Sequence, residues 1–262
     1  MSQDRRDIKP SVAAKVEDNI GYLTFINPSK NNALPQHCWE AIPPQIEKLI
    51  ANGARVIIVS GEGDSFCAGA DISEFDVVRK NTATARIYEQ TNINGFNALR
   101  SACVPTIAKI RGYCLGGGFG LAAACDLRLC DSSAQFGVPA AKLGLAYPVE
   151  AMADIVHSIG AQNTKKMLFT AERYSAAEIH SYGFLGEVVE PKALDKRLLE
   201  LANKIAYLAP LTHRATKAAI EAALGGDVER AITLGNKTFA SKDYAEGRKA
   251  FKDKRFPVFK GR

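Results

Sequence analysis

Three consecutive glycines, Gly116, Gly117 and Gly118, stand between a short strand-like run and an almost wholly apolar segment. No other feature constrains the folding of this chain as strongly. Thr106–Ile110 has the residues of a short strand, and Gly112 allows a turn after it. Gly118–Cys125 reads as a helix with small residues on every side, so burial on all faces is predicted. Glycines ahead of such a helix let another group come close. They also leave the first helical N–H groups without partners, free to receive an anion or a developing negative oxygen.

A second stretch has the same form. Val56-Ile57-Ile58-Val59-Ser60 is a buried strand by its β-branched run, and a loop follows, ending in Phe66-Cys67-Ala68-Gly69-Ala70-Asp71-Ile72. Two loops of this kind can present two backbone N–H groups to one carbonyl oxygen, which is an oxyanion hole in the general sense. The same residues also suit two tight turns beside packed helices, and a glycine run alone does not choose between these readings.

The chain has 262 residues, enough for one large domain or a domain with a small appendage. Apolar residues are 47% and charged residues 24%, the balance of a soluble globular protein. No apolar run has transmembrane length and no apolar signal segment follows the N-terminal charges, so a cytoplasmic protein with no membrane partner is expected. The six cysteines lie mostly in apolar sequence and read as small buried hydrophobes, not as a disulfide framework. The four histidines are far apart and no metal-spaced pair occurs, so no metal is expected. Of the net charge of +6, residues 242–262 supply +5, from eight basic against three acidic residues. A basic tail attracts phosphate-bearing ligands or nucleic acid. This one is short and lacks regular aromatic interleaving, so no nucleic-acid partner is expected.

Residues 1–11 are polar and expected to fray. Ala14–Val16 and Ile20–Ile26 read as a hairpin around Asp18-Asn19. Trp39, Ile42, Ile46, Leu49 and Ile50 recur at helical spacing, with Pro43 and Pro44 expected to break or kink that helix. A helical region over 74–100 uses Phe75, Val78, Ile87, Ile93, Phe96 and Leu99 as its apolar face. Short strands at 127–130 and 134–137 follow, then helices over 148–159 and 161–169 parted by Gly160. Ser175 with Glu178 forms a capping box for a helix over 176–182. After a strand near 185–189 the chain is nearly all helix. The division predicted is 1–190 as a βα core and 191–262 as a helical region.

Four segments, in this order, resemble the crotonase family, the enoyl-CoA hydratase/isomerase superfamily. They are Phe66–Ile72, Gly112–Gly118, Ala124-Cys125-Asp126-Leu127-Arg128 and Ala134-Gln135-Phe136-Gly137-Val138-Pro139. The resemblance spans nearly the whole chain. It implies an α/β fold, a crotonase-like spiral of ββα units with a C-terminal helical trimerisation region. Homotrimers, or dimers of trimers, are the assembly it implies. The ligand implied is an acyl-CoA thioester, with no other cofactor and with coenzyme A as part of the substrate. Ala68 and Gly117 are then the two oxyanion donors. Lys30, Ala70, Asp71 and Ile72 resemble the wall around the CoA adenine and pantetheine. Phe251 and Lys254 match positions that approach CoA, often from a neighbouring subunit. Asp126 is a family residue with a structural role.

The chain departs from the hydratase pattern where the chemistry is done. A typical hydratase uses two glutamates around one water; the matching positions here are Gly120 and Ala140. Neither has a proton to move, so syn-hydration by that pair is excluded. Some relatives use an aspartate on the following loop, where this chain has Pro148. The remaining candidates for acid/base work are Glu150, which also suits a surface helix, and Tyr147, a poor unassisted base with a reference pKa of about 10. Two readings follow. One is an enoyl-CoA hydratase/isomerase-like enzyme that stabilises an enolate with altered acid/base groups, a decarboxylase or thioesterase being variants of it. The other is a non-catalytic acyl-CoA binding protein. An apolar acyl group is expected from the apolar sequence at 114–119 and 143–156.

Overall fold

The computed structural model describes residues 8–262, so the expected fraying of residues 1–7 lies outside the described residues. Ser11, expected to fray, is already in the first strand. Strands β1 (Ser11–Glu17) and β2 (Ile20–Ile26) form the expected hairpin. Its two turn residues, Asp18 and Asn19, have φ of 50° and 63°, as a two-residue hairpin of this twist requires. β2 then pairs in parallel with β3 (Val56–Gly61), Ile20 opposite Val56. The sheet continues in parallel through β4 (Thr106–Ile110) and β6 (Leu127–Asp131) to β9 (Glu187–Val189), in the order β1-β2-β3-β4-β6-β9. A second sheet holds β5 (Tyr113–Leu115), β7 (Gln135–Gly137) and β8 (Tyr174–Ser175).

In the middle of the chain each turn lays a strand in the large sheet, then a short strand in the small one, then a helix. β4–β5–α4 (Gly117–Ala124) is one such unit, and β6–β7–α5 (Val149–Thr170) is the next. This is the spiral of ββα units that the resemblance implied.

The β-branched run of β3 is explained by two cores. Ile57 and Val59 point into the larger one, with Leu23, Phe25, Trp39, Phe96, Phe119 and Phe136. Val56 and Ile58 point to the other face, against Leu194, Leu198 and Ala202 of α7 (Leu194–Tyr207). A strand buried on both faces needs apolar residues without alternation. The first helix of the 191–262 region thus covers the far side of the large sheet, and α8 (Pro210–Ala223), α9 (Val228–Phe239) and α10 (Lys242–Lys252) lie beyond it.

Two expectations change. Helix α1 (Gln36–Ala51) runs unbroken through Pro43 and Pro44. Both prolines lie off its buried stripe of Cys38, Trp39, Ile42, Ile46 and Leu49, and burial of that stripe offsets the lost backbone bonds. In the 74–100 region, α2 (Phe75–Val78) stops before α3 (Thr82–Arg100), which starts from an Asn81 capping box. The stop shifts the helical phase, and Ile87 is 62% exposed instead of buried. The kink at Gly160, with φ of 75°, and the Ser175–Glu178 capping box occur where expected.

Candidate active site

Helix α4 is buried along its length, and its two ends are treated differently. At the C-terminal end the half-buried Arg128 donates from Nη1 to the carbonyls of Ala122, Ala123 and Cys125 at 3.2, 3.3 and 2.6 Å. Its Nε donates to Phe184 O at 2.6 Å. Burial lowers the Arg128 pKa from its ordinary value. A cation here complements the negative end of the helix dipole. Close by, Asp126 accepts from Thr106 N, Thr106 Oγ1 and Lys217 Nζ at 2.8, 3.0 and 2.9 Å. It ties α8 to the end of α4, the structural role expected of it.

The N-terminal end is open. Among the described residues nothing accepts a hydrogen bond from Gly117 N, the first N–H of the helix. The loop after β3 is stitched to this end: Cys67 N donates to Tyr113 O at 2.9 Å and Leu115 N donates to Cys67 O at 3.0 Å. Gly69 then lies so close that a Cβ on it would stand 3.1 Å from Gly117 N. The two small-residue loops are thus brought together, as their sequences suggested. The Ala68 amide, however, is not free: it donates to Asn31 O at 3.0 Å. Asn31 and Asn32 are both left-handed, with φ of 50° and 56°, and this tight turn carries the Asn31 carbonyl to Ala68. Of the two expected donors, one is unengaged and one already has a partner.

The walls around Gly117 are aromatic. A Cβ on Gly117 would meet the buried Trp39 ring at 2.8 and 2.9 Å. Trp39 is held by a 3.1 Å bond from Nε1 to Leu34 O and by an edge-to-face contact with Phe96, centroids 5.6 Å apart. At Gly120 a Cβ would lie 2.4 Å from Tyr147 Oη and 2.9 Å from the Phe96 ring. The space that a side chain at 120 would need is therefore filled by Tyr147 and Phe96. Tyr147 Oη donates to Gly116 O at 2.9 Å. Burial pushes its pKa far above the ordinary tyrosine value, so it is a protonated donor near neutral pH. Ala140 is buried in the turn Pro139–Leu143. Glu150 is exposed in the first turn of α5, where its backbone carbonyl accepts from Arg100 Nη2 at 2.9 Å. No described contact brings its carboxylate to Gly117.

At the loop rim, Lys30 Nζ donates to Asp71 Oδ2 at 2.7 Å and to Ser73 Oγ at 2.8 Å. Asp71 is buried and also caps the turn Ile72–Glu74. Burial alone raises its pKa, but the bonds from Lys30 and Ser73 outweigh this and the net shift is downward. Ala70 is bridged to Leu34, and Ile72 is 61% exposed. Phe251 and Lys254 are exposed at the end of α10, 89% for Phe251, and Lys254 has φ of 51°. Neither touches the Gly117 region within one chain in any described contact. Among the described residues no cluster of three His, Cys, Asp or Glu could hold a metal, and no helix is long and apolar enough to cross a membrane. Sequence reasoning missed Trp39, Phe96 and, earlier on α3, Tyr88 and Asn92. Helical spacing marked Trp39 and Phe96 as core without distinguishing core from site wall, and it gave no signal for Tyr88 and Asn92.

The chain matches the family described as enoyl-CoA hydratase/isomerase over residues 15–262. It is 31% identical over 252 residues to a short-chain-enoyl-CoA hydratase of Clostridium acetobutylicum, covering 94% of this chain and 95% of that one. It is 32% identical over 258 residues to an (E)-benzylidenesuccinyl-CoA hydratase of Thauera aromatica, covering 95% and 99%. The crystal structure of an enoyl-CoA hydratase/carnithine racemase from Magnetospirillum magneticum superposes with a TM-score of 0.91 at 33% identity, over 100% of this chain and 97% of that one.

Proposed function

The chain belongs to the enoyl-CoA hydratase/isomerase family, and from that premise we propose that it binds an acyl-CoA thioester with the carbonyl oxygen at Gly117 N–H. The observation that carries this is the unengaged Gly117 amide at the positive end of a buried helix, with the Gly69 backbone against it. Such a donor stabilises an enolate oxygen in the transition state. Ala68 joins as the second donor only if the thioester oxygen displaces or shares the bond to Asn31 O. With Gly120 and Ala140 at the glutamate positions, hydration by a carboxylate pair is not the chemistry. Tyr147, held protonated, supplies a hydrogen bond or a proton but not a base. Glu150 enters only if α5 repositions it.

The CoA moiety is assigned to Lys30, Ala70, Asp71 and Ile72 of this copy and to Phe251 and Lys254 of a neighbouring one. The exposed Ile220, Leu224, Val228, Ile232 and Phe239 of α8 and α9, or just beyond them, support self-association, as in a trimer or a dimer of trimers. The engaged Ala68 amide favours a second reading, a CoA-thioester binding protein without turnover.

One experiment separates the two: turnover of 2-enoyl, 3-enoyl and malonyl-type CoA thioesters by wild type, Tyr147→Phe and Glu150→Gln. Turnover of one class, lowered by Tyr147→Phe, supports the enzyme reading. Binding without turnover supports the second. No binding by any thioester sinks both.

A further inference from the structure

Beside Trp39 the fold leaves three buried polar atoms without a hydrogen bond: Tyr88 Oη, Asn92 Nδ2 and Arg79 Nε. Tyr88 and Asn92 are 1% and 6% exposed and stand one turn apart on α3, so they share a face. The Arg79 guanidinium carbon lies 4.8 Å from the Tyr88 ring centre and 5.0 Å from that of Phe75. All three groups therefore belong to one wall. Trp39 connects that wall to Gly117. Its indole N–H and the Asn92 side chain both lie near the Tyr88 oxygen, outside the geometry of a full hydrogen bond, and its Cζ2–Cη2 edge abuts Gly117.

An orphaned buried donor is costly, and three in one wall imply a partner from outside the chain. Their chemistry defines it. Arg79 Nε and Asn92 Nδ2 can only donate, and the tyrosine hydroxyl can donate. Among the described residues Arg79 Nε has no acceptor, and Glu74, near Tyr88, already accepts from Gln36 N at 2.9 Å. An acceptor-rich anion fits, and a planar carboxylate has enough lone pairs for all three.

We propose that the acyl group of the thioester carries a carboxylate, received by Arg79, Asn92 and Tyr88. This rests on the placement of the thioester carbonyl at Gly117, and it replaces the apolar acyl group expected from sequence. Calorimetry on the full chain tests it, with malonyl-, succinyl- and glutaryl-CoA each compared with propionyl-, butyryl- and valeryl-CoA. One acidic thioester binds at least ~30-fold tighter than its neutral counterpart, as a buried charge-assisted contact should allow. Arg79→Gln removes that preference, and Asn92→Leu and Tyr88→Phe each reduce it. Neutral thioesters binding as tightly as acidic ones throughout overturn this inference while leaving the thioester site in place. The wild-type comparison needs no variant, so a poorly folded mutant does not blur the result. If no thioester of either kind binds, the thioester site itself is wrong and this inference falls with it.

Discussion

Tyr147 and Gly120 divide one space between them, and a double-variant cycle measures it. Gly120→Ala puts a methyl group 2.4 Å from Tyr147 Oη and 2.9 Å from Phe96 ring atoms. Overpacking of this kind costs roughly 1–3 kcal/mol. Replacing glycine with alanine inside a helix returns about 1 kcal/mol, so the net loss is about 1 kcal/mol. Tyr147→Phe relieves nothing in the wild type and loses the bond to Gly116 O, again about 1 kcal/mol. If the two residues were independent, the double variant would lose about 2 kcal/mol. With the hydroxyl gone, however, the worst contact of the new methyl group disappears and only Phe96 remains to adjust. The double variant should then lose about 1 kcal/mol, leaving a favourable coupling of about 1 kcal/mol. Urea unfolding of the four proteins at one protein concentration measures this directly. Additivity within about 0.5 kcal/mol would refute the shared-space argument, because independent sites add to that precision.

Gly117→Ala drives a methyl group into the Trp39 ring, which is fully buried and hydrogen-bonded to Leu34 O. A loss of about 1–2 kcal/mol in a denaturant melt is expected, with thioester affinity down at least tenfold by calorimetry. Asp71 titrates below the ordinary 3.8, because Lys30 and Ser73 hold its charged form against burial. A depressed carboxylate pKa adds stability that is present above the unfolded-state value and lost as pH falls through the folded-state one. The stability gap between wild type and Asp71→Asn should therefore be full at pH 6 and shrink in acid below the ordinary Asp value; a gap independent of pH would remove the ion pair as its cause. All six thiols are free, and five are buried. Burial pushes Cys38, Cys67, Cys125 and Cys130 up to about 12, and Cys114 well above its ordinary value. At pH 8 a thiol reagent should label Cys103 first in the native protein, and rapid labelling of a second thiol would contradict the packing around the two loops.

Local chemistry made much of the fold legible. The Asp18-Asn19 turn, the run of β3, the small-residue helix α4 and the Ser175 capping box each have a short-range cause that leaves a mark in the sequence. The prolines of α1 misled because their local penalty is set against a stripe of side chains buried by distant parts of the chain. Ile87 misled because one interruption, between Val78 and Thr82, resets the helical phase. At the site, the glycines made an open end of α4 one of two readings, the other being a tight turn, and the unengaged Gly117 amide is what decides between them. The bond from Ala68 to Asn31 O was not readable: it depends on how a left-handed turn thirty-odd residues earlier lies against the loop. Nor was the polar wall of Tyr88, Asn92 and Arg79. In a sequence those residues look like the solvated side of a helix, and only burial without partners sets them apart.

Backbone donors and side-chain acids are under different constraints, so the backbone frame at Gly117 does not depend on which acids stand around it. Gly117 N–H is fixed by helix α4, by the Arg128 cap at its far end and by the stitching of the Cys67 and Cys114 strands. None of these depends on what occupies position 120 or 140. A carboxylate at 120, by contrast, would need Tyr147 to leave, since the hydroxyl lies 2.4 Å from where the side chain must begin. The Tyr147 hydroxyl and a side chain at 120 thus exclude one another in this packing, and a carboxylate does not fit there by a single substitution. The donor that remains would favour any thioester that develops charge on its carbonyl oxygen. Among the described residues no carboxylate is placed against Gly117 N–H, so in the proposed reading this chain has no first-turn carboxylate to remove a proton.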